Sequence, residues 1–409
     1  MSDTRFACRS CGATHTAPVI DLGTTPLANR LLRDEAMARD EPHYPLATVL
    51  CEACGLVQIT ETVPPSVLFE DYVYFSSVSE TTVASARDLA TRLARERTLG
   101  PGSLVMEAAS NDGYLLKHYG ALGVPVLGIE PARNVAKVAE SAGVPTRVAF
   151  FGRDEAARLA AEGRRADVFH ANNVLAHVAD LNGFVAGIAT VLKPSGVASI
   201  EAPYVRDLVE KLEFDTIYHE HLCYFSATAV ERLFTRHGLA LVDAEHLPIH
   251  GGSLRYFAAR APAARAPRLE ALLADERARR IGQAAYYAAF ASRAAALRRS
   301  LRDTLAHLKQ DGAVIAAYGA SAKGTTLLHY CGIGRETLDF VVDRSAVKQG
   351  RLTPGTHLPI VAPAMLLERR PDYVLLLTWN FAEEILAQQQ AYRDAGGKFI
   401  VPVPEVRIV

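Results

Sequence analysis

The densest group of polar and aromatic side chains lies between Tyr218 and Tyr224, where the two tyrosines flank His219, Glu220 and His221. Burying all of these groups without partners would be costly. Because histidine titrates near neutral pH without special tuning, a catalytic base with supporting groups is the favoured interpretation. The order H-E-H lacks the H-E-x-x-H zinc spacing. A second zinc site and a satisfied surface cluster both remain open.

Two C-x-x-C pairs near the N-terminus have the residue types and spacing of a metal site. They are separated by 39 residues, and a glycine follows the second cysteine of each pair. Four thiolates make a closed tetrahedral zinc site with no open position for chemistry, so the predicted metal is structural. A pair of redox motifs is the alternative. The predicted zinc ligands are Cys8, Cys11, Cys51 and Cys54.

A third group follows the apolar run that starts at Val105. The pattern predicts a buried strand, a tight turn and a helix N-terminus, whose free N–H groups suit a ligand. One βα unit later an acidic residue ends a second strand, where it could bind a ribose. No G-x-G-x-x-G is present, and an ordinary βαβ turn without a ligand is the alternative. The predicted contacts are Glu107, Ser110, Asn111, Asp112, Gly113 and Glu130.

Asn172 and Asn173 end a further apolar strand. Because the carboxyl ends of parallel strands form the ligand edge of such sheets, both asparagines are predicted cofactor contacts. His177 follows one helical turn beyond Asn173. It is either a structural histidine or a neighbour of the reacting groups.

Polar residues also surround the Gly-Gly pair in IHGGSLRYF. His250, Ser253 and Arg255 could bind a phosphate or close the pocket, and a plain hairpin turn explains the pattern equally well.

The last hundred residues start a second nucleotide-binding pattern, in which GASAKGTT follows an apolar strand. The segment is not a Walker A loop, because its lysine precedes the glycine. Backbone N–H groups with Ser321, Lys323 and Thr325 at a helix N-terminus would suit a pyrophosphate. Asn380 ends a later strand at the same predicted edge. An empty Rossmann-like domain is the alternative.

Alternating strands and helices must position these groups. From Ser103 to about Pro262 the alternation predicts a doubly wound parallel sheet, and the alanine- and arginine-rich stretch that follows predicts linking helices. The predicted fold is α/β, with a small N-terminal zinc-binding domain (1–75), a doubly wound sheet domain (76–262) and a C-terminal part (263–409). The last combines a helical linker with a Rossmann-like α/β domain.

The composition excludes several classes of protein and of binding partner. With 49% hydrophobic and 22% charged residues in 409, the chain is typical of a globular protein. A net charge of −1 gives no field that would attract nucleic acid or an anionic membrane. The N-terminus lacks a signal pattern, no apolar run reaches membrane-spanning length, and six cysteines are too few for a disulfide scaffold. A cytoplasmic protein without nucleic-acid or membrane partners is expected.

Taken in order, these motifs resemble the S-adenosylmethionine-dependent sugar C-methyltransferases of antibiotic deoxysugar pathways. The resemblance covers essentially the whole chain. One departure is Ala109, where a glycine is usual two residues after the first acid. The motifs that carry the resemblance are the four cysteines, E-x-x-S-N-D-G with G-I-E-P, N-N-V-L-A-H, Y-H-E-H, H-G-G-S-L-R and G-A-S-A-K-G-T-T.

The resemblance implies a class I methyltransferase domain that transfers a methyl group to C-3 of a TDP-linked 4-keto-deoxyhexose. Its cofactors are S-adenosylmethionine and structural Zn²⁺, and the expected state is a monomer. His221 would remove the C-3 proton, and the sugar would be surrounded by Tyr72, His177, Tyr218 and Glu220. The other expected substrate contacts are His219, His250, Ser253, Arg255, Ser321, Lys323, Thr325 and Asn380.

Two alternatives remain. A zinc-ribbon methyltransferase acting on RNA or protein would need a basic groove and salt-sensitive binding, which the near-zero net charge disfavours. A non-catalytic protein that binds nucleotide sugars would have no use for the Y-H-E-H group.

Overall fold

The computed structural model describes residues 6–68 and 75–409. Its strands, numbered along the chain, are β1 (Thr16–Pro26), β2 (His43–Cys51), β3 (Val57–Ile59), β4 (Val105–Ala108), β5 (Val126–Ile129), β6 (Thr146–Arg147), β7 (Ala166–Asn172), β8 (Leu192–Pro203), β9 (Cys223–Tyr224), β10 (Leu239–Leu247), β11 (Ser253–Arg260), β12 (Ile315–Tyr318), β13 (Val341–Val342), β14 (Ile360–Val361), β15 (Tyr373–Leu376), β16 (Lys398–Val401) and β17 (Arg407–Ile408).

The α-helices surround these strands, and five short 3₁₀ helices lie between them in the described part of the chain. The α-helices are α1 (Glu35–Arg39), α2 (Pro65–Leu68), α3 (Glu80–Glu96), α4 (Leu116–Ala121), α5 (Arg133–Ser141), α6 (Arg153–Ala161), α7 (Leu181–Val191), α8 (Val205–Glu210), α9 (Ala227–Thr235), α10 (Pro267–Arg279), α11 (Ala284–Tyr287), α12 (Phe290–Gln310), α13 (Ala322–Cys331), α14 (Met365–Arg369), α15 (Ala382–Gln388) and α16 (Gln390–Asp394).

The largest sheet has seven strands in the order β10-β11-β8-β7-β4-β5-β6. All neighbours are parallel except β11, which runs antiparallel between β8 and β10. Side chains alternate along β4, so Val105 packs with α3 and α4 while Met106 packs in the cluster that contains α6 and α7. The chain winds outward from β4 to β6 and then crosses back to β7. The carboxyl ends of β4 and β7 therefore flank the switch point where ligands bind in such sheets.

A four-stranded antiparallel sheet, β1-β2-β3-β9, carries the cysteine pairs near its strand ends. Its fourth strand, β9, comes from the tyrosine- and histidine-rich segment, since Val57 pairs with Tyr224 and Gln58 with Cys223. The sheet of the N-terminal region is thus completed by a segment more than 150 residues later in the sequence. This pairing ties the predicted catalytic segment directly to the zinc-binding region.

The third sheet has six strands in the order β14-β13-β12-β15-β16-β17, parallel except for β17. Leu46, Phe169 and Leu375, one from each sheet, belong to a single buried cluster. The three sheets therefore share a continuous core. The predicted α/β fold class is confirmed, whereas the domain boundaries after residues 75 and 262 stay predictions. Within the described residues, no helix is both long and apolar enough to cross a membrane.

Candidate active site

The four cysteines of the two C-x-x-C pairs converge on one point. Their sulfur atoms all lie within 4.8 Å of one another, with Cys8 and Cys54 3.6 Å apart and Cys11 and Cys51 3.5 Å apart. No disulfide joins them. These separations suit a tetrahedral zinc ion about 2.3 Å from each sulfur. The residues fit a structural zinc ion.

The loop after β4 has an unusual backbone. Ala109 and Asn111 have φ values of 52° and 51°, and Gly113 has a φ of 78°. Next to it, a Cβ on Gly128 of β5 would lie 2.4 Å from the Ser110 hydroxyl oxygen. The loop therefore packs directly on the neighbouring strand, and that contact requires glycine at 128. The tight packing fixes the turn that precedes α4.

Glu130 holds this loop from the end of β5. One carboxylate oxygen accepts a hydrogen bond from the Asn111 backbone N–H at 3.0 Å, and the other accepts one from the Ala132 N–H at 2.8 Å. Burial nevertheless raises the pKa of Glu130, and the two N–H donors partly oppose that effect. Each oxygen keeps a second lone pair, so the predicted contact with a ribose is compatible with both backbone bonds.

Glu107 lies in β4, buried to 1% exposure. Burial first, and then the charges of Glu201, Glu130 and Asp112, hold its pKa well above the ordinary value. Within the described residues, its Oε2 has no hydrogen-bond partner. A cluster of buried carboxylates with an orphaned oxygen suits a cationic ligand, and S-adenosylmethionine carries both a sulfonium and an ammonium group. Asp112 and Glu130 thus add to the electrostatic fit.

The loop after β4 also holds the start of the segment that leads into α3. The backbone N–H of Ser76 donates to the Asn111 side-chain oxygen at 2.9 Å, and that of Ser77 donates to the Asp112 carboxylate at 3.1 Å. Asn111 and Asp112 therefore have a structural role in addition to the predicted cofactor contact. Tyr72, a predicted substrate contact, lies outside the described residues.

Asn172 and Asn173 lie at the carboxyl end of β7, as the strand pattern predicts. Asn172 is 3.5 Å from the Tyr114 hydroxyl, and its own side-chain oxygen is buried with no partner in the part of the chain that is described. Asn173 has a φ of 55°, and its N–H donates to the Glu201 carbonyl at 2.9 Å. The side chain of Asn172 thus has acceptor capacity to offer a ligand at this edge.

His221 is held at both ring nitrogens. Nδ1 lies 3.0 Å from the Thr216 backbone carbonyl oxygen, and Nε2 lies 2.9 Å from the Tyr218 hydroxyl. Because a carbonyl only accepts, Nδ1 carries the hydrogen, and Nε2 of the neutral ring presents its lone pair. If His221 is the base, as the sequence predicts, Nε2 is the nitrogen that would take the proton.

His177 packs against the ring of His221. Its ring centroid is 4.8 Å from that of His221, at an interplanar angle of 71°. Burial lowers the pKa of His177 to about 4, although hydrogen bonds to the backbone of Glu220 and Asn173 favour its charged form. At neutral pH His177 is therefore uncharged, and it adds no positive charge that would oppose protonation of His221.

Glu220 and His219 immediately precede His221 in the chain and differ in their surroundings. Burial raises the pKa of Glu220 to about 7, and both of its oxygens accept from the Asn29 amide, at 2.8 and 2.9 Å. Glu220 is thus not the partner of His221 Nδ1. His219 is buried, and its Nε2 contacts the Pro45 carbonyl oxygen at 3.0 Å beside the Tyr44 ring. His219 therefore packs on the N-terminal sheet.

The residues of the H-G-G-S-L-R segment have partners within the protein. The Ser253 hydroxyl donates to the Ile249 carbonyl at 3.3 Å. Arg255 is 5% exposed, and its guanidinium binds the carboxylates of Glu201 at 2.7 Å and Glu245 at 3.3 Å. Its charge is thus balanced by carboxylates on the two neighbouring strands, β8 and β10. The backbone of His250 lies in a 3₁₀ helix, and its side chain is not among the described parts of the structure.

The C-terminal domain meets the chain just before the base segment. Trp379 donates its indole N–H to the Asp215 carboxylate at 2.6 Å, and the Lys323 ammonium lies 5.0 Å from the Trp379 ring centroid. Asn380 is the next residue of the same 3₁₀ helix. Ser321 caps α13 by accepting from the Gly324 N–H. The start of α13 therefore lies close to the segment that carries His221, as a shared substrate cleft requires.

Sequence reasoning missed two partners of the predicted catalytic segment. Thr216 acts through a backbone carbonyl, which every residue type has, so no sequence signal identifies it. Asn29 lies in the segment TTPLANRLL, where a polar residue among apolar ones was the available signal. The structure brings His177, Tyr218 and His221 together, whereas His219 lies apart from that group.

Comparisons with known proteins agree with this layout. A family model described as "Methyltransferase domain" matches residues 81–244, and one described as "C-methyltransferase C-terminal domain" matches residues 248–404. A model for a zinc binding domain matches residues 8–69. C-methyltransferase NovU of Streptomyces niveus is 37% identical over 404 residues, which cover 98% of this chain and 96% of that protein.

Two solved structures resemble part of the chain. Magnesium protoporphyrin IX methyltransferase of Synechocystis is 15% identical, covers 44% of this chain and 83% of its own, and gives a TM-score of 0.36. An S-adenosylmethionine-dependent methyltransferase of Anabaena variabilis is 14% identical, covers 42% of this chain and 84% of its own, and gives a TM-score of 0.34.

Proposed function

The chain belongs to the family of S-adenosylmethionine-dependent sugar C-methyltransferases, and we propose that it methylates C-3 of a TDP-linked 4-keto-deoxyhexose in antibiotic biosynthesis. It is an S-adenosylmethionine-dependent enzyme with a zinc-binding domain. The observation that carries the proposal is the geometry of His221, whose Nε2 lone pair is fixed by the Thr216 carbonyl on the opposite side of the ring.

The proposed chemistry begins at a carbon next to a ketone, because only there is a C–H bond acidic enough. His221 Nε2 takes the C-3 proton, and the C–H electron pair moves to form the enolate with its charge on the C-4 oxygen. Bound S-adenosylmethionine supplies an electrophilic methyl group. As the C-3–methyl bond forms, the bond from the methyl carbon to the sulfonium sulfur would break with its electron pair going to sulfur, so that S-adenosylhomocysteine leaves and the ketone is restored. The proton remains on His221 until solvent removes it.

Two effects of the chain's own residues would supply much of the rate. A positioned base contributes roughly 10²–10⁴-fold. A hydrogen bond from the Tyr218 hydroxyl to the developing enolate oxygen would contribute about 3 kcal/mol. In the free enzyme that hydroxyl lies 2.9 Å from Nε2, so substrate binding would redirect it from the base to the sugar oxygen. Tyr72 stays a predicted substrate contact.

We propose that the C-terminal domain binds the nucleotide diphosphate. Lys323 and Ser321 at the start of α13, with Asn380 in the adjoining loop, are the candidate contacts. The hydroxyl of Thr325 donates to the Ala28 carbonyl, so its role is to fix the N-terminal loop against α13. The balanced charge of Arg255 suits a supporting role beneath the cleft, together with Ser253.

We also propose that the enzyme works as a monomer in the cytoplasm on a small-molecule substrate and without nucleic acid. Free thiols at Cys223 and Cys331, in addition to the four zinc ligands, support a reducing compartment. Size-exclusion chromatography with light scattering measures the mass, and a dimer mass would contradict the monomer.

The test is a methyl-transfer assay with a TDP-linked 4-keto-6-deoxyhexose and isotope-labelled methyl donor. NMR of the product locates the new methyl group. Because C-4 has two neighbours, deuterium exchange in the absence of donor distinguishes C-3 from C-5. We expect exchange at C-3 and none with His221→Asn. Methylation at C-5 would contradict the assigned position, and methylation of RNA or protein in place of the sugar would contradict the substrate class.

A further inference from the structure

The loop between β1 and α1 of the zinc-binding region is held from the C-terminal domain on both sides of Asn29. The Thr325 hydroxyl donates to the Ala28 carbonyl at 3.0 Å. Leu32 and Leu352 exchange backbone hydrogen bonds of 3.0 and 2.8 Å as an isolated antiparallel bridge. Leu32 is 1% exposed. The backbone that carries Asn29 is therefore fixed within three residues in each direction.

The side chain of Asn29 reaches the predicted catalytic segment. Its amide nitrogen lies 2.8 and 2.9 Å from the two carboxylate oxygens of Glu220. Glu220 is 6% exposed, whereas Asn29 is exposed. Within the described residues, Asn29 is the hydrogen-bond donor to this carboxylate. A buried carboxylate needs such a donor, so the position of the Glu220 side chain depends on the N-terminal loop.

Glu220 connects in turn to the base. Glu220 directly precedes His221 in the chain, and the His177 ring packs edge-on against His221. The backbone of Glu220 also lies close enough to the His177 ring to favour its charged form and so to raise the pKa of His177. A shift of Glu220 would thus displace the His177 ring, against which the His221 ring packs. The hydrogen bonds that the Asn29 side chain donates within the described residues go to Glu220, so we expect its effect on the proposed base to pass through Glu220.

We propose that Asn29 is a positioning residue for methyl transfer, which holds the Glu220 carboxylate next to the His177–His221 pair. The inference rests on the proposed function. An amide suits this role because it donates without adding charge, so Glu220 keeps a carboxyl group that can gain or lose a proton near neutral pH. The zinc site then matters for catalysis because the domain that it stabilises carries this loop.

The test compares Asn29→Ala, Glu220→Gln and the double variant in the methyl-transfer assay across pH. Because Asn29 is exposed, its truncation leaves no buried cavity. We expect Asn29→Ala to lower kcat about tenfold with KM within about twofold, as expected for loss of one hydrogen bond to a charged group. Glu220→Gln should abolish one midpoint in the pH profile of the methyl-transfer rate. In Asn29→Ala the same midpoint should move upward by about one pH unit, because the lost donor stabilised the ionised form of Glu220.

The double variant should be no slower than Glu220→Gln alone, since Asn29 acts through Glu220. Asn182→Ala is the matched control: it removes another amide that bonds the zinc-binding region, to the carbonyls of Arg9 and Ser10 at 3.0 and 3.1 Å. It should leave the pH midpoint unchanged. An unmoved midpoint in Asn29→Ala, an equal shift in Asn182→Ala, or losses that multiply in the double variant would overturn the positioning role. Failure of the proposed function is distinct, because the wild-type enzyme would then not methylate the sugar.

Discussion

The hydroxyl of Tyr218 lies 2.9 Å from Nε2 of His221, and the two ring centroids are 4.1 Å apart. A turn of the backbone brings the two side chains together. The His221 backbone N–H donates to the Tyr218 carbonyl at 2.9 Å and closes this turn. The turn brings residues i and i+3 to the same side. The proposed base and a hydroxyl donor are thereby placed next to one another before any substrate is bound.

The first prediction concerns His221→Asn. The variant removes Nε2, so we expect methyl transfer to fall by roughly 10²–10⁴-fold. Donor binding should be unchanged within about twofold, because the predicted donor contacts lie on the loops after β4, β5 and β7. Isothermal titration with S-adenosylhomocysteine measures the binding, and single-turnover assays measure the transfer. Near-normal turnover would remove His221 from the role of base.

Tyr218→Phe provides a second prediction. The ring that stacks on His221 is kept and the hydroxyl alone is lost. We expect kcat to fall by about 10²-fold, the usual effect of removing one donor to a developing oxyanion, with little change in KM. Thermal unfolding controls for stability. If KM rises while kcat is unchanged, the hydroxyl binds the sugar in its ground state and does not stabilise the enolate.

Sites built from several cysteine residues at a specific spacing could be predicted from the sequence, because few other structural roles call for that residue type in that pattern. The cysteine pairs are of this kind, and the α/β alternation similarly predicted the sheets, whereas the role of His221 as the base stays a prediction. The partners that orient the base could not be predicted in the same way. Thr216 contributes only a backbone carbonyl, and Asn29 is 191 residues from Glu220 in the sequence. Such contacts depend on tertiary packing, which local patterns do not encode.

The pairing of β9 shows the same limit. Cys223 and Tyr224 form a two-residue strand in the sheet of the zinc-binding region, whereas their sequence neighbours belong to the large sheet domain. A two-residue strand leaves no periodic signal. The H-G-G-S-L-R segment is a further case: the sequence suggested that Arg255 could bind a phosphate or close the pocket, and only the fold reveals the carboxylates of Glu201 and Glu245 that balance its charge.

A third prediction tests the zinc site. Cys51→Ser removes one of four thiolates, so we expect loss of bound zinc and a large loss of stability in the N-terminal sheet. Cys331→Ser is the matched control, since Cys331 is equally buried but lies outside the cluster. Atomic absorption measures zinc per chain. Full zinc content in Cys51→Ser, or equal loss in Cys331→Ser, would contradict the assignment of the ligands.

The fourth prediction compares alanine substitutions at two glycines. A Cβ at Gly128 would lie 2.4 Å from the Ser110 hydroxyl oxygen, whereas one at Gly120 in α4 would meet nothing within 4 Å. Gly128→Ala should therefore displace the loop after β4 and weaken donor binding at least about tenfold. Gly120→Ala should leave binding unchanged and stabilise the helix by about 0.5–1 kcal/mol. Equal donor affinities in the two variants would show that the loop is not part of the cofactor site.

The last prediction concerns the pH dependence of stability at Glu220. Burial raises its folded pKa from the ordinary 4.5 to about 7, so the folded protein holds this proton more tightly than the unfolded chain does. The stability from this group is complete below pH 4.5 and is lost as pH rises through 7. Glu220→Gln cannot ionise. Relative to the wild type, it should gain up to about 3 kcal/mol in the free energy of unfolding between pH 5 and pH 8.5. Urea unfolding at both pH values measures the difference, and a gain that does not change with pH would show that Glu220 is already ionised in the folded protein at pH 5.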